Sequence, residues 1–227
     1  MITTPHIDTH LDLPGLQAMQ AHIASKFPAS TSTMAVRELT VEVSPSDIPT
    51  LIKFLRDDKK CQFTQLIDIC GVDYLGASVG AQPSNRRFAV VYHLLSMALN
   101  QRIRVKTYLP EASPAVPTIT HLHPSAGWFE RETYDMFGIV FEGHPDLRRL
   151  LTDADFDGFP LRKDFPLEGH VEVYYDAKEK RVATKPVDLP QELRHFDRVS
   201  EWQGMTGNAG LADAPNATNT FNPKDFK

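Results

Sequence analysis

The first sixty residues carry two helical stripes of apolar side chains with one alternating segment between them. Residues 12–27 place apolar side chains three or four positions apart, which predicts a helix. Residues 28–33 are polar and predict a linker, whereas residues 36–43 alternate as a half-buried strand does. A second helix is predicted after Ser46, a candidate N-cap, and it ends at the charged residues 57–60. The stripes consist of Leu13, Leu16, Met19, Ile23 and Phe27 in the first helix and of Ile48, Leu51, Ile52 and Leu55 in the second.

The middle of the chain predicts a meander of three strands. Residues 63–72 are rich in Ile and Leu, residues 88–95 are almost wholly apolar, and residues 102–107 alternate basic with apolar or hydroxyl side chains. Residues 71–85 have the glycine and polar content of a loop, and Asn100–Gln101 predicts a hairpin turn. Strands that follow helices in this order are typical of an α+β fold. We therefore expect a two-layer domain with a mixed β-sheet and helices on one face, followed by a long, mostly extended C-terminal arm.

Prolines divide the second half of the chain into short pieces. Nine of the 17 prolines lie between residues 110 and 190, and the first three of these predict an irregular connection. A helix is predicted over residues 126–137 and ended by Gly138, and after it residues 170–176 and 180–183 have strand character. The expected buried side of that helix consists of Trp128, Phe129, Thr133, Met136 and Phe137. The predicted organisation is an N-terminal helix and linker (1–35), an α+β core domain (36–140), an extended partner-binding arm (141–204) and a flexible tail (205–227).

Charge and composition exclude several classes of protein. The chain has 227 residues, of which 41% are hydrophobic and 23% charged, as in ordinary globular proteins. Its formal net charge is −5, and residues 121–202 alone carry −6, so we expect no nucleic-acid binding. The N-terminal segment lacks the basic and apolar regions of a signal peptide, and no apolar run reaches the about 20 residues of a membrane helix. We therefore expect a soluble, intracellular protein, and attachment to a membrane through partners stays open.

Common cofactor and nucleophile motifs are absent from the sequence. There is no CxxC pair for zinc or an iron–sulfur cluster, no GxGxxG or Walker lysine for a nucleotide, and no GxSxG elbow. Cys61 and Cys70 stand nine residues apart, so a disulfide is one alternative. Buried free thiols are favoured, because the chain has no export signal.

One group of residues leaves an enzymatic alternative open. His121 and His123 could supply two metal ligands, with His144 and either Glu130 or Glu132 completing the site. Such a site would fit a stand-alone metal-dependent hydrolase. Ordinary packing is the favoured interpretation, because the two first histidines lie in a proline-flanked extended segment.

The acidic residues of the third predicted helix offer a second enzymatic alternative. Glu130, Glu132 and Asp135 could act as paired carboxylates in acid–base catalysis. However, residues two apart on a helix do not face each other, whereas Arg131 and Asp135 are four apart and can form an ion pair. Structural pairing is therefore favoured over catalysis.

Residues 130–151 alternate charged with large apolar side chains, a composition typical of protein–protein contacts. This run resembles the signature of the hydrophilic 30 kDa subunit, or C subunit, of the proton-pumping NADH:quinone oxidoreductase, respiratory complex I. Shorter matches at residues 66–74, 90–96 and 161–166 extend the resemblance over about residues 36–204. The signature positions are Glu130, Arg131, Glu132, Asp135, Met136, Phe137, His144, Arg148, Leu150 and Leu151.

The resemblance implies a non-catalytic scaffold subunit in the peripheral arm of that complex. It implies no catalytic, cofactor-binding or metal-binding residue in this chain, since flavin, iron–sulfur clusters and quinone belong to neighbouring subunits. The implied partners are the 49 kDa-type quinone-module subunit and adjacent iron–sulfur subunits, on the cytoplasmic face of the bacterial inner membrane or the matrix side in an organelle. The expected inter-subunit contacts are the signature residues with Arg162, Lys163 and Asp164, and we expect Arg148→Ala or Arg162→Ala to impair assembly more than folding. A homologous subunit of a membrane-bound hydrogenase is the related alternative.

Overall fold

The computed structural model describes residues 13–35, 38–76 and 86–188, and the chain divides into two compact units, residues 1–167 and 168–227. No helix within the described ranges is long and apolar enough to cross a membrane. The helices are α1 (Leu13–Lys26), α2 (Ile48–Asp57) and α3 (Ala126–Phe137). The strands are β1 (Thr31–Ala35), β2 (Glu38–Glu42), β3 (Gln65–Asp73), β4 (Phe88–Ser96), β5 (Gln101–Leu109), β6 (Ala115–Pro117), β7 (Val140–Glu142), β8 (Val171–Asp176) and β9 (Arg181–Pro186).

Five strands of the first unit form one mixed sheet in the order β1-β2-β5-β4-β3. β3, β4 and β5 pair antiparallel as a meander, and Asn100 adopts a φ of 48° in the turn before β5, a conformation that asparagine tolerates well. β2 pairs in parallel with β5, with Leu39 opposite Ile103, and β1 pairs antiparallel with β2 at the edge. The predicted meander and the mixed sheet are confirmed.

The apolar stripes of α1 and α2 form one core with one face of the sheet. Alternate residues of β4 point into this core, because successive side chains of a strand face opposite sides. Each fully buried aliphatic side chain contributes about 1.5–3 kcal/mol through removal from water. The shared core confirms the α+β class with helices packed on a sheet. Its members include Leu16 and Ile23 of α1, Leu51 and Leu55 of α2, and Phe88, Val90, Tyr92 and Leu94 of β4.

The structure corrects three local predictions. Thr31–Ala35, within and just beyond the predicted linker, forms β1 because pairing with β2 satisfies its backbone groups. Ala115–Pro117 forms a strand beside β7 despite Pro117, which a short two-stranded ladder tolerates. Asp47 rather than Ser46 occupies the N-cap position of α2, and it makes no side-chain capping hydrogen bond.

The first compact unit continues beyond the predicted domain boundary at residue 140 and reaches Leu167. Residues 143–167 contain turns and bends without helix or strand. In the second unit β8 and β9 form a hairpin, which confirms the two predicted short strands. The predicted tail at residues 205–227 lies outside the described residues, and Cys61 and Cys70 are free thiols.

Candidate functional site

Helix α3 carries the first half of the signature and has the predicted bounds. It begins after Ser125 and ends at Gly138, whose φ of 73° lies in the left-handed region that favours glycine. A Cβ added at this glycine would lie 2.6 Å from Arg162 and 2.7 Å from Phe159. The helix therefore ends where the following segment folds back against it.

The buried residues of α3 include two carboxylates as well as apolar side chains. Thr133 and Met136 are buried as predicted, but Trp128 is 62% exposed, so its predicted place on the buried side is wrong. Glu130 and Asp135 are fully buried instead. A buried carboxylate requires hydrogen-bond partners, and both of these have them.

The carboxylate of Asp135 organises the second half of the signature. Its Oδ2 accepts three successive backbone N–H groups at 2.9, 2.6 and 3.0 Å, from Leu150, Leu151 and Thr152. Its Oδ1 accepts from Arg149 Nη1 at 2.9 Å and from the hydroxyl of Thr152. Burial alone raises a carboxyl pKa, but these donors outweigh it and hold the Asp135 pKa well below its usual range. Asp135 is therefore an ionised anchor for residues 149–152.

Arg131 does not pair with Asp135, so the predicted ion pair four residues apart is wrong. Its Nε and Nη2 donate to the carbonyl oxygens of Arg148 and Arg149 at 3.0 and 3.1 Å. The same guanidinium lies 5.3 Å from the centroid of the Trp128 ring. Arg131 therefore holds the exposed tryptophan next to the second half of the signature.

The carboxyl group of Glu130 joins α3 to the segment before it. Its Oε1 accepts the backbone N–H of Ile119 at 2.8 Å, and its Oε2 accepts the Thr118 hydroxyl at 2.5 Å. Burial raises the pKa of Glu130 to about 7, although both hydrogen bonds oppose the shift. This group therefore changes charge near neutral pH inside the fold.

Because its pKa is raised, the contribution of Glu130 to folding stability falls between about pH 5 and pH 7. The unfolded carboxyl group, with a pKa of 4.5, has lost its proton in this interval while the folded one keeps it. The folded state then binds more protons, so stability falls as pH rises, by about 1.4 kcal/mol per pH unit. Urea unfolding at several pH values should show that the change from pH 5 to pH 7 is less favourable to the free energy of unfolding of wild type than to that of Glu130→Gln. Glu132→Gln, an exposed change on the same helix, should keep the wild-type slope; equal slopes in both variants would contradict the prediction.

Of the residues named in the two enzymatic alternatives, His144 and Glu130 lie close to each other, but they do not form a metal site or a carboxylate pair with the others. His121 is exposed, His123 is buried, and His144 Nε2 lies 3.9 Å from Glu130 Oε2. In the part of the chain that the structure describes, the group of three ligand-type side chains close enough to share a metal ion includes none of these residues. Glu130 is buried and Glu132 exposed, so they do not form a carboxylate pair. The hydrolase interpretation therefore has no assembled site.

A second anchor, which the sequence did not predict, is centred on Arg87 before β4. Its Nε and Nη2 donate to the two oxygens of Asp73 at 3.0 and 2.8 Å, and it also reaches Glu111 and Asp164, each at 2.7 Å. The backbone N–H of Lys163 donates to Asp73 at 2.9 Å. Burial opposes ionisation of Asp73, but Arg87 and the backbone donors lower its pKa to about 2. The anchor therefore fixes residues 163–164 to the sheet.

Arg162 is also engaged within its own unit. Its Nε donates to the carbonyl oxygen of Phe137 at 2.7 Å, and its guanidinium lies 4.9 Å from the Phe88 ring and 4.4 Å from the Phe159 ring. Such contacts add cation–π stabilisation to the hydrogen bond. We therefore expect Arg162→Ala to weaken the fold, in contrast to the expectation from sequence. The side chain of Arg148, in contrast, is 78% exposed and pairs with Asp146 two residues away.

Comparison with known proteins places the same segment in a described family. Residues 41–171 match the family model of the respiratory-chain NADH dehydrogenase 30 Kd subunit. The C subunits of the NADH-quinone oxidoreductases from Maricaulis maris and a Methylobacterium species are 54% and 50% identical to this chain over 191 and 202 residues. These alignments cover 83% and 88% of this chain and 92% and 90% of those proteins.

Two solved structures have a similar fold. The trypsin-resistant fragment (1-134) of Nqo5 has a TM-score of 0.50 and 36% identity, covering 59% of this chain and 99% of the fragment. A chain of the membrane-bound sulfane sulfur reductase, an archaeal respiratory membrane complex, has a TM-score of 0.55 and 26% identity, covering 66% of this chain and 85% of that chain. The family match over residues 41–171 includes strands β3, β4 and β5 of the sheet and every signature residue.

Proposed function

Since the chain belongs to the 30 kDa subunit family of the respiratory-chain NADH dehydrogenase, we propose that it is a non-catalytic scaffold subunit of an NADH:quinone oxidoreductase. The observation that carries this proposal is the family match over residues 41–171, which contains every signature residue. Relatives at 50% identity and above carry the name of that complex, which favours it over a hydrogenase-type assembly.

The scaffold role is supported by how the chain uses its charged residues. The buried carboxylates of Asp135 and Asp73 each accept backbone N–H groups and so hold a segment of backbone in place. Redox chemistry then belongs to flavin, iron–sulfur clusters and quinone in neighbouring subunits. This chain would contribute a rigid surface for the quinone module, at the cytoplasmic face of a bacterial inner membrane.

Exposed residues of the signature and the neighbouring Trp128 supply one surface for a partner. We define the tryptophan patch as Trp128, Arg131, Arg148 and Leu151, in which the guanidinium of Arg131 links the indole ring to the backbone at residues 148–149. Tryptophan and arginine dominate the binding energy of many interfaces, particularly where an aromatic ring inserts into a pocket of the partner. The patch therefore fits an apolar pocket with an acidic rim on the 49 kDa-type subunit.

The second unit supplies another surface. A hairpin of two strands is at best marginally stable in water, and β8 and β9 expose several large apolar side chains. These side chains lose contact with water when a partner protein covers them. The exposed apolar residues of the hairpin are Val171, Val173, Tyr174, Tyr175 and Val182.

Trp128→Ala is expected to weaken association with the partner subunit without unfolding the chain. Loss of an interface tryptophan costs about 2 kcal/mol or more, roughly thirtyfold in the binding constant. The measurement is recovery of partner subunits by affinity purification of the full chain from its own cells, followed by mass spectrometry and a native gel. Arg148→Ala should also lower the recovery of partner subunits.

Met97→Ala is the matched control, because Met97 is equally exposed but lies in the turn after β4, away from the patch. It should leave recovery unchanged. Wild-type recovery in both Trp128→Ala and Arg148→Ala would contradict the assignment of this patch. Purification without any oxidoreductase subunit, or a flavin or iron–sulfur spectrum in the isolated chain, would contradict the scaffold function itself.

A further inference from the structure

Three metal-ligand side chains cluster away from the signature, between α1 and the turn after α2. His22 belongs to α1, Asp58 directly follows α2, and Cys61 lies in the connection to β3. One ligand atom from each lies within 4.8 Å of the other two, and His22 Nε2 is 3.2 Å from Asp58 Oδ1. We propose that these three side chains bind a zinc ion that links α1 to the rest of the first unit.

Local contacts hold the ligand side chains in place. The ring of His22 packs against Phe54 of α2, with the two centroids 5.6 Å apart. The carbonyl oxygen of Asp58 accepts the N–H of Cys61 at 3.1 Å, and Asp58 Oδ1 accepts the N–H of Lys60 at 2.8 Å. These contacts hold the Asp58 carboxylate and the backbone of Cys61 in one turn, with the three ligand atoms already close together.

The donor set matches the coordination chemistry of zinc. Thiolate, imidazole and carboxylate are its usual protein ligands, in a four-coordinate arrangement. One thiolate and one carboxylate balance the two positive charges of the ion, while His22 remains neutral. The buried site then carries no net charge, which avoids the large cost of burying an unpaired charge.

Binding requires one proton to leave. Burial raises the pKa of Cys61 to about 12, so its thiol is protonated until the ion displaces the proton to solvent. The N–H of Lys60, followed by His22, lowers the pKa of Asp58, so its carboxylate is already ionised. The side chains of His22 and Asp58 are 18% and 24% exposed, which gives the ion an entry path and leaves a fourth position for water.

This proposal departs from the expectation of a metal-free chain. That expectation came from the resemblance to complex I. His22 and Asp58 differ by 36 in residue number, so no local motif marks the cluster in the sequence. Zinc undergoes no redox change, so the scaffold function, which leaves electron transfer to neighbouring subunits, does not depend on the ion.

The test is a zinc titration of the full-length chain without an affinity tag, after treatment with a chelator under reducing conditions. In competition with a chromophoric chelator, we expect one equivalent of zinc per chain and at least about tenfold weaker binding for His22→Gln and Cys61→Ser. Cys70→Ser is the control, because this second free thiol lies on β3 outside the cluster, and it should bind like wild type. Zinc should also raise the Tm of wild type but not of His22→Gln.

A second measurement uses the wild-type chain and so requires no substitution of the buried Cys61. Cobalt loaded into the wild-type chain should give a thiolate-to-metal charge-transfer band. The absence of stoichiometric zinc, the absence of this band, or equal affinity in His22→Gln would each overturn the proposal. The cluster would then be an ion pair between His22 and Asp58 beside a buried thiol.

Discussion

Asp135→Ala is expected to destabilise the chain by about 3–5 kcal/mol, the usual cost of removing one partner from a buried ion pair. The carboxylate is fully buried, and its loss leaves Arg149 without its anion and three backbone N–H groups without an acceptor. Each buried donor left unsatisfied costs about 1–3 kcal/mol unless water reaches it. The effect should therefore exceed that of any exposed substitution on α3.

Urea unfolding of the full chain measures this loss, and Asp135→Asn tests its cause. The asparagine keeps nearly the same volume but lacks the charge, so it should lose stability as well, to a smaller extent. Glu132→Gln is the control, because Glu132 is an exposed acid on the same helix. Wild-type stability of Asp135→Asn would contradict the anchor role.

Amide hydrogen exchange locates the effect. The N–H groups of Leu150, Leu151 and Thr152 bond to Asp135 Oδ2, so they should exchange faster in Asp135→Asn than in wild type. The amides of β4, which pair within the sheet, should keep their protection. A uniform increase in the amide exchange rate across the chain would show that Asp135→Asn destabilises the whole fold rather than the contacts of residues 150–152.

The elements that were predicted correctly from the sequence are those stabilised by residues close together along the chain. The meander β3–β5 follows from alternating side chains and a turn, and α3 ends where Gly138 supplies a left-handed residue. β1 was missed because its polar residues form a strand only through pairing with β2. Local pattern therefore fixes elements whose stabilising contacts lie nearby in the chain.

The site was less predictable, because its contacts join distant positions. The helical spacing of Arg131 and Asp135 predicts a pair, yet Asp135 binds Arg149, 14 residues away. Arg87 reaches Asp164 across 77 positions, and no local motif marks it. The signature identifies the family from sequence alone. That Glu130 and Asp135 are buried anchors, and that Trp128 beside them is exposed, is seen only in the fold.

Arg87→Ala is expected to destabilise the chain by about 3–5 kcal/mol, because it leaves the buried Asp73 without its counter-charge. Glu111 and Asp164 also lose their shared partner and then repel one another. Arg87→Lys should be more stable than Arg87→Ala but less stable than wild type. Lysine carries the positive charge but cannot form the two-pronged contacts of a guanidinium. Arg102→Ala, an exposed change on β5, is the control.

At acid pH, the free energies of unfolding of wild type and Arg87→Ala should differ less than they do at neutral pH. The lowered pKa of Asp73, about 2, means that its stabilisation is present above its unfolded pKa and is lost as pH falls through the folded value. Without Arg87 that pKa rises, so Asp73 in the variant takes up a proton at higher pH and its unpaired charge disappears. Urea unfolding at pH 7 and pH 4 measures the change.

The double variant Arg87→Ala with Asp73→Asn isolates the charge. Removing the unpaired carboxylate should make the double variant more stable than Arg87→Ala alone, even though Asp73→Asn destabilises the wild type. This sign change follows because Asp73 stabilises the fold while Arg87 is present and opposes it when Arg87 is absent. Strictly additive losses would show that the two side chains act independently, and the Arg87 anchor would then lose its physical basis.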